Sequence, residues 1–123
     1  MATENPVLVL SFPATANLAS SQFYAMELAT AGVAAANATT DVCIGILQND
    51  PPSGGTADVC VSGKSKAVAG AAIAINAKLS VTAAGRLQTA ATGQHVIGIA
   101  LEAASGDGAI FTMLVCPGGA PLP

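Results

Sequence analysis

Gln94–Cys116, QHVIGIALEAASGDGAIFTMLVC, decides the fold. It holds two apolar runs, His95–Leu101 and Ala109–Val115, with Ser105, Gly106, Asp107 and Gly108 between them. Short runs of β-branched and aliphatic residues favour strands, and Ser-Gly-Asp-Gly tolerates the positive φ of a tight reversal. The stretch reads as a β-hairpin. Upstream, Asp41–Gly63, DVCIGILQNDPPSGGTADVCVSG, has the same order: an Ile-Gly-Ile core, a Ser-Gly turn and a second β-branched strand. A shift of 53 residues places Gly32 on Gly85, Thr39 on Thr92 and Ile44-Gly45-Ile46 on Ile97-Gly98-Ile99 without a gap. Dropping one residue then places Ser53-Gly54 on Ser105-Gly106 and Ala57 on Ala109. Two pseudo-repeated β-modules, 22–63 and 75–116, can pack their apolar faces on one core. Glycine inside a strand marks a bulge, a bend or the close approach of another backbone. In each Ile-Gly-Ile we read it as a bend in the frame.

The rest of the chain fits this pattern. Pro6–Phe12, PVLVLSF, is a first strand that Pro13 ends, and with the polar start it makes an extended N-terminal arm over 1–12. Further strands are expected over Gln22–Ala29, Val33–Ala36, Val42–Gln48, Ala57–Ser62, Lys64–Ala69, Lys78–Thr82 and Leu87–Thr89. Asn49–Gly55 is the strongest loop signal, with two prolines and two glycines. Gly70–Asn76, GAAIAIN, is rich in alanine, but Gly70 and the period-two spacing of Ile73 and Ile75 favour an extended chain over a helix. Residues 117–123, PGGAPLP, read as a flexible tail. Short strands with frequent turn signals predict an all-β fold, a small β-barrel or sandwich in one domain over residues 1–123.

Composition restricts function. Only 9% of the residues are charged, against roughly 25% in an average soluble domain. With 52% hydrophobic residues, no Trp, one Tyr and three Phe, the core must be built from small side chains under a largely neutral surface. Such a surface is poorly protected against association, so we expect other copies or another protein to cover much of it. The net charge is −3, and Lys64 with Lys66 is the only basic cluster; no nucleic-acid partner is expected, because phosphate binding needs clustered cations. No apolar run reaches the roughly 20 residues of a membrane span, and no basic region precedes the first apolar run as in a signal peptide. Cys43, Cys60 and Cys116 contain no close pair, which argues against a disulfide framework or zinc site and for three small buried hydrophobes.

Apparent motifs dissolve on inspection. Gly63-Lys64-Ser65 matches the end of a phosphate-binding loop, but the required first glycine is Asp58 and the residues that follow look extended rather than helical. His95 is the only histidine; the repeat places its neighbour Val96 on Cys43, yet nothing in the sequence orients a base toward that thiol. The seven carboxylates form no paired or metal-ligating pattern, and Asp50 and Asp107 sit in matched loops where turn geometry explains them. No catalytic, metal or cofactor site is expected, and we read the protein as no enzyme.

The ordered set of segments resembles the phage capsid cement, or head decoration, proteins. It is carried by the Val7–Leu10 strand with Phe12-Pro13, by Tyr24–Leu28 with Thr30-Ala31-Gly32, and by Ile44–Pro51. Ala57–Gly63, Lys66–Gly70, Val96–Ala103, Val115 and Pro117-Gly118-Gly119 complete it. The chain departs at Asn76-Ala77, where members of the family tend to carry a Gly-Asp turn. The resemblance implies a virion protein, made in the host cytoplasm, that binds the outer surface of an icosahedral head and braces the major capsid protein. It also implies a homotrimer at threefold and local threefold positions. Contact with the capsid or a neighbouring copy is expected at Pro6, Val7, Leu8, Val9 and Leu10, and at the turn Ser105, Gly106, Asp107 and Gly108. The alternative is a head-fibre or adhesin-like β domain that holds a host glycan.

Overall fold

The computed structural model describes residues 2 and 5–117, so most of the predicted tail and of the polar start lies outside the described residues. No helix occurs among them. The strands are β1 (Asn5–Pro13), β2 (Ala25–Ala29), β3 (Gly32–Ala35), β4 (Cys43–Leu47), β5 (Thr56–Val68), β6 (Lys78–Val81), β7 (Leu87–Thr89), β8 (Gly98–Ala100) and β9 (Ile110–Val115). Their order in one antiparallel sheet is β3-β2-β4-β5-β9-β8-β6-β7, with β1 added on β5. Both hairpins read from the sequence form. Ile46 pairs with Cys60 in the first, and Gly98 with Val115 and Ile99 with Leu114 in the second. The β3-β2-β4-β5 pairings return as β7-β6-β8-β9, and the two sets meet where β5 runs against β9. The sheet curls into a half-barrel. Its far parts touch through single contacts: Ala25 N donates to Gly85 O at 2.9 Å, and Ala69 bridges Leu87.

β5 is the axis of the molecule. Val59 and Cys60 are adjacent, so they point to opposite faces of the sheet. Val59 enters a small cluster with Met26, Val33 and Leu47. Cys60 enters a larger one with Leu79, Phe111 and Met113. Ala67 also joins the larger cluster, although it has the parity of Val59. The alternation therefore slips by one between residues 60 and 67, where Gly63 takes φ +110° as a bulge residue. Gly63 bends the strand without ending it. The expected pair of strands, 57–62 and 64–69, is in fact one strand of 13 residues.

Other boundaries shift for local reasons. β2 starts at Ala25, not Gln22, because Phe23 sits at φ +67° and cannot continue a pleat. Gly70–Asn76 is non-helical as expected; Ile73 bridges Ala104, and Asn76 turns the chain at φ +70°. Asparagine tolerates that conformation, so Asn76 holds a turn there. The reading of three buried cysteines holds for Cys43 and Cys60, but Cys116 is exposed. It follows Val115, which points into the core, so strand alternation turns it outward.

Candidate interaction surface

A run such as Val7-Leu8-Val9-Leu10, apolar on both faces, ordinarily reads as a strand buried on both sides. Here Asn5–Ser11 is exposed throughout, and the four apolar side chains are between 41% and 80% accessible. The register explains how. Val9 pairs with Cys60 and Leu10 with Val59, so the faces of β1 continue the two faces of β5. Neither hydrophobic cluster takes in Val7–Leu10; of β1, Phe12 alone packs against the smaller one. Asn5–Ser11 projects as an apolar fin, held on one edge by backbone pairing, and among the described residues no other strand pairs with its second edge.

Both ends of the fin are fixed. At its start, a Cβ on Gly63 would lie 2.5 Å from Val7 N and 3.0 Å from Asn5 O, so only glycine lets β1 seat there. At its end, a Cβ on Gly32 would lie 2.0 Å from Pro13 O. Ala14 N donates to Gly55 O at 2.8 Å and Gly54 N to Ala14 O at 2.9 Å, tying the strand to the proline-rich loop. Between them, Ser11, Phe12, Pro13, Gly54, Gly55 and Thr56 line an open groove of about 300 Å³. Two bulges, at Pro6/Leu8 and Leu8/Val9, interrupt the ladder.

The second candidate, Ser105–Gly108, is an exposed turn with Gly108 at φ +86°. Gly108 N donates to Ala69 O at 2.8 Å. Arg86 Nη1 lies 2.5 Å from Asp107 Oδ1, and Arg86 Nε donates to Tyr24 Oη at 3.1 Å. One guanidinium thus links this turn to the first module, a structural task for Asp107. The turn and the fin are not brought together. The turn precedes β9 and the fin starts where β9 ends, a separation along the strand of roughly 17 Å at about 3.4 Å per residue.

The remaining polar groups make no reactive constellation among the described residues. Gly63, Lys64 and Ser65 lie inside β5, which excludes the loop-then-helix of a phosphate cradle. Burial pushes the Cys43 thiol up to about 12, with the charges of Asp41 and Glu27 adding to it, so the thiolate is scarce. His95 Nδ1 is buried without a hydrogen-bond partner among the described residues. No group of three or more His, Cys, Asp and Glu side chains there could hold a metal ion. Asp41 Oδ2 accepts from Asn37 N at 2.9 Å and from Ala38 N at 3.0 Å.

These features define a class: an all-β protein whose distinctive surface is an apolar, edge-mounted strand. The family follows. The model of the phage cement protein family matches residues 1–117, and the chain belongs to that family. It is a phage structural protein and a virion component. No curated protein sequence matches it. Among solved structures it is similar to the N base of the head fibre protein gp8.5 of bacteriophage phi29, with 17% identity and a TM-score of 0.62. The similarity covers 94% of this chain and 98% of that one, and it shows a shared fold.

Proposed function

We propose that this protein cements the phage head: it binds the outer surface of the icosahedral shell and braces neighbouring major capsid subunits, with β1 as a docking element. The observation that carries the reading is the mismatch at β1, a strand with the sequence of a buried one that the single chain leaves exposed on both faces. Burying apolar surface is worth roughly 25 cal/mol per Å², and an unpaired apolar edge is a site for association. Each contact can be weak, because bridging several subunits raises the effective concentration of the next. Binding only the assembled shell would stabilise that shell by linkage. On this reading copies sit as trimers at threefold and local threefold positions.

The test places charge on the fin. Val7→Asp with Val9→Asp alters exposed side chains, so the variant keeps its fold, checked by its thermal melt. Mixed with undecorated expanded heads, the wild type gives regular density at symmetry positions and the variant loses occupancy at least tenfold. Equal occupancy would sink the proposal. Removing residues 1–5 probes the arm in the same assay and should also lower occupancy.

The second reading, a head-fibre or glycan-binding domain, has the phi29 head-fibre base in its favour as a shared fold. Glycan binding draws on exposed aromatic platforms. Here Phe111 is fully buried, and Phe12, Phe23 and Tyr24 are half-buried.

A further inference from the structure

Charge is segregated along this chain. Residues 1–63 carry five of the seven acidic side chains and no lysine or arginine, whereas all four basic side chains fall within 64–86. The fold converts this into opposed surfaces. Lys78 pairs with Ile99, Ile99 with Leu114, and Leu114 with Lys64, so these four side chains form one row on one face of the sheet. Lys66, opposite Thr112, lies on the same face one row along. Leu114, between Lys64 and Lys78, and Ile110, one row beyond Lys66, are exposed and supply apolar surface on this face.

The acidic end lies at the far side of the first module. Glu27 pairs in register with Cys43 across β2 and β4, two residues from Asp41, and this places the two carboxyls near each other. Their chain neighbours Leu28 and Val42 are exposed at 61% and 50%. Among the described residues the one cation in an ion pair is Arg86, with Asp107. Lys64, Lys66 and Lys78 have no carboxylate partner there, and the Glu27–Asp41 pair has no cation.

Two surfaces of opposite sign, each with exposed apolar side chains, make no ion pair with each other among the described residues, but they can meet between chains. We infer that copies of this protein associate head to tail, the lysine face of one against the Glu27–Asp41 end of the next. Such a contact is heterologous, so repetition closes a ring or grows a chain. Complementary charge speeds encounter and fixes register, while the apolar residues supply the burial. The inference rests on the proposal that copies associate and is independent of capsid binding.

Sedimentation of the full chain without heads tests it. The wild type should associate at about 0.02 M salt and weaken at about 0.5 M, where screening shortens to a few ångströms. Lys64→Glu with Lys66→Glu should weaken association at least tenfold, and so should Glu27→Lys alone, which leaves Asp41 and its turn in place. Mixing the two variants should restore association, because each then offers what the other lacks. A wild type that stays monomeric at low salt overturns the inference. So does association that ignores salt and both reversals but is lost in Val7→Asp/Val9→Asp, which would assign self-contact to the fin. Thermal melts confirm that each variant is folded.

Discussion

Gly45 and Gly98 are the central residues of the two Ile-Gly-Ile segments, and they share a physical reason for being glycine. A Cβ at Gly45 would lie 2.1 Å from Cys60 O, and one at Gly98 would lie 2.1 Å from Leu114 O. Each glycine lets the neighbouring strand's backbone press against it. The sequence reading of a bend left out this close approach, another of the three causes that leave a bare glycine in a strand. Backbone cannot retreat as a side chain can. Gly45→Ala and Gly98→Ala should each therefore destabilise the fold by about 3 kcal/mol or more, measured by denaturant unfolding; a cost near zero at either would show that the strands separate freely. The Glu27–Asp41 pair makes a smaller, pH-dependent contribution. Burial raises the Glu27 carboxyl above its usual range, helped by the hydrogen bond and charge of Asp41. For Asp41, burial works upward, but the amides of Asn37 and Ala38 and the Glu27 hydrogen bond outweigh it and lower its titration. A raised carboxyl binds its proton more tightly when folded, so its stabilisation is present at low pH and lost as pH rises through the folded value. Asp41 works the opposite way, losing its contribution as pH falls. Glu27→Gln should raise stability at neutral pH, by no more than about 0.5 kcal/mol, and match the wild type below the carboxylate range. A gain that persists in acid would contradict the like-charge account.

At the level of elements, the turns were legible and the strand ends less so. Ser105–Gly108 and Asn49–Gly55 lie where turn-forming residues placed them, and the alanine-rich 70–76 segment avoids helix as its β-branched isoleucines required. The misjudged boundaries trace to single backbone conformations, Phe23 at φ +67° and Gly63 at φ +110°, which hydrophobic period does not encode. β1 is the larger lesson. Its residues were legible as a strand, but its exposure was not, because the pattern of an apolar strand is the same whether its cover comes from its own chain or from a partner. Gly63 offers a handle on the seating of that strand. Gly63→Ala must strain a positive φ, at about 1–3 kcal/mol, and its Cβ meets Val7 N. Amides of Val7–Val9 should then exchange faster with solvent deuterium, while those of β6 and β7, which do not pair with β5, change little. Unchanged protection at Val7–Val9 would mean that the fin is held elsewhere.

The whole molecule is two similar sets of strand pairings joined along β5 and β9, with most of its buried residues in one cluster around Phe111 and a smaller one around Met26. The all-β class and the phage cement family were legible, because short strands, punctual turns and the order of segments are written locally. The lysine face was legible only as a list of residues. Lys64 and Lys78 are far apart in sequence and become neighbours through β8 and β9, a register that only the folded sheet supplies. The groove beside Phe12 was missed for the same reason, since it is built from two segments some forty residues apart.

β9 and β1 share one edge of β5, and Gly63 is the point where the edge passes from one to the other: it pairs with Val115 and with Pro6. The end of β9 and the start of β1 therefore meet at one place, beside the fin. For anyone using this scaffold to present foreign peptides, that crowding is a practical constraint. A payload fused after Val115 would sit against the strand we assign to docking, and one grafted at Gly54 would fill the groove. The turn at Ala91–Gln94 is the better site. A Cβ on Gly93 meets nothing within 4 Å, and the turn lies between β7 and β8, in the other half of the sheet.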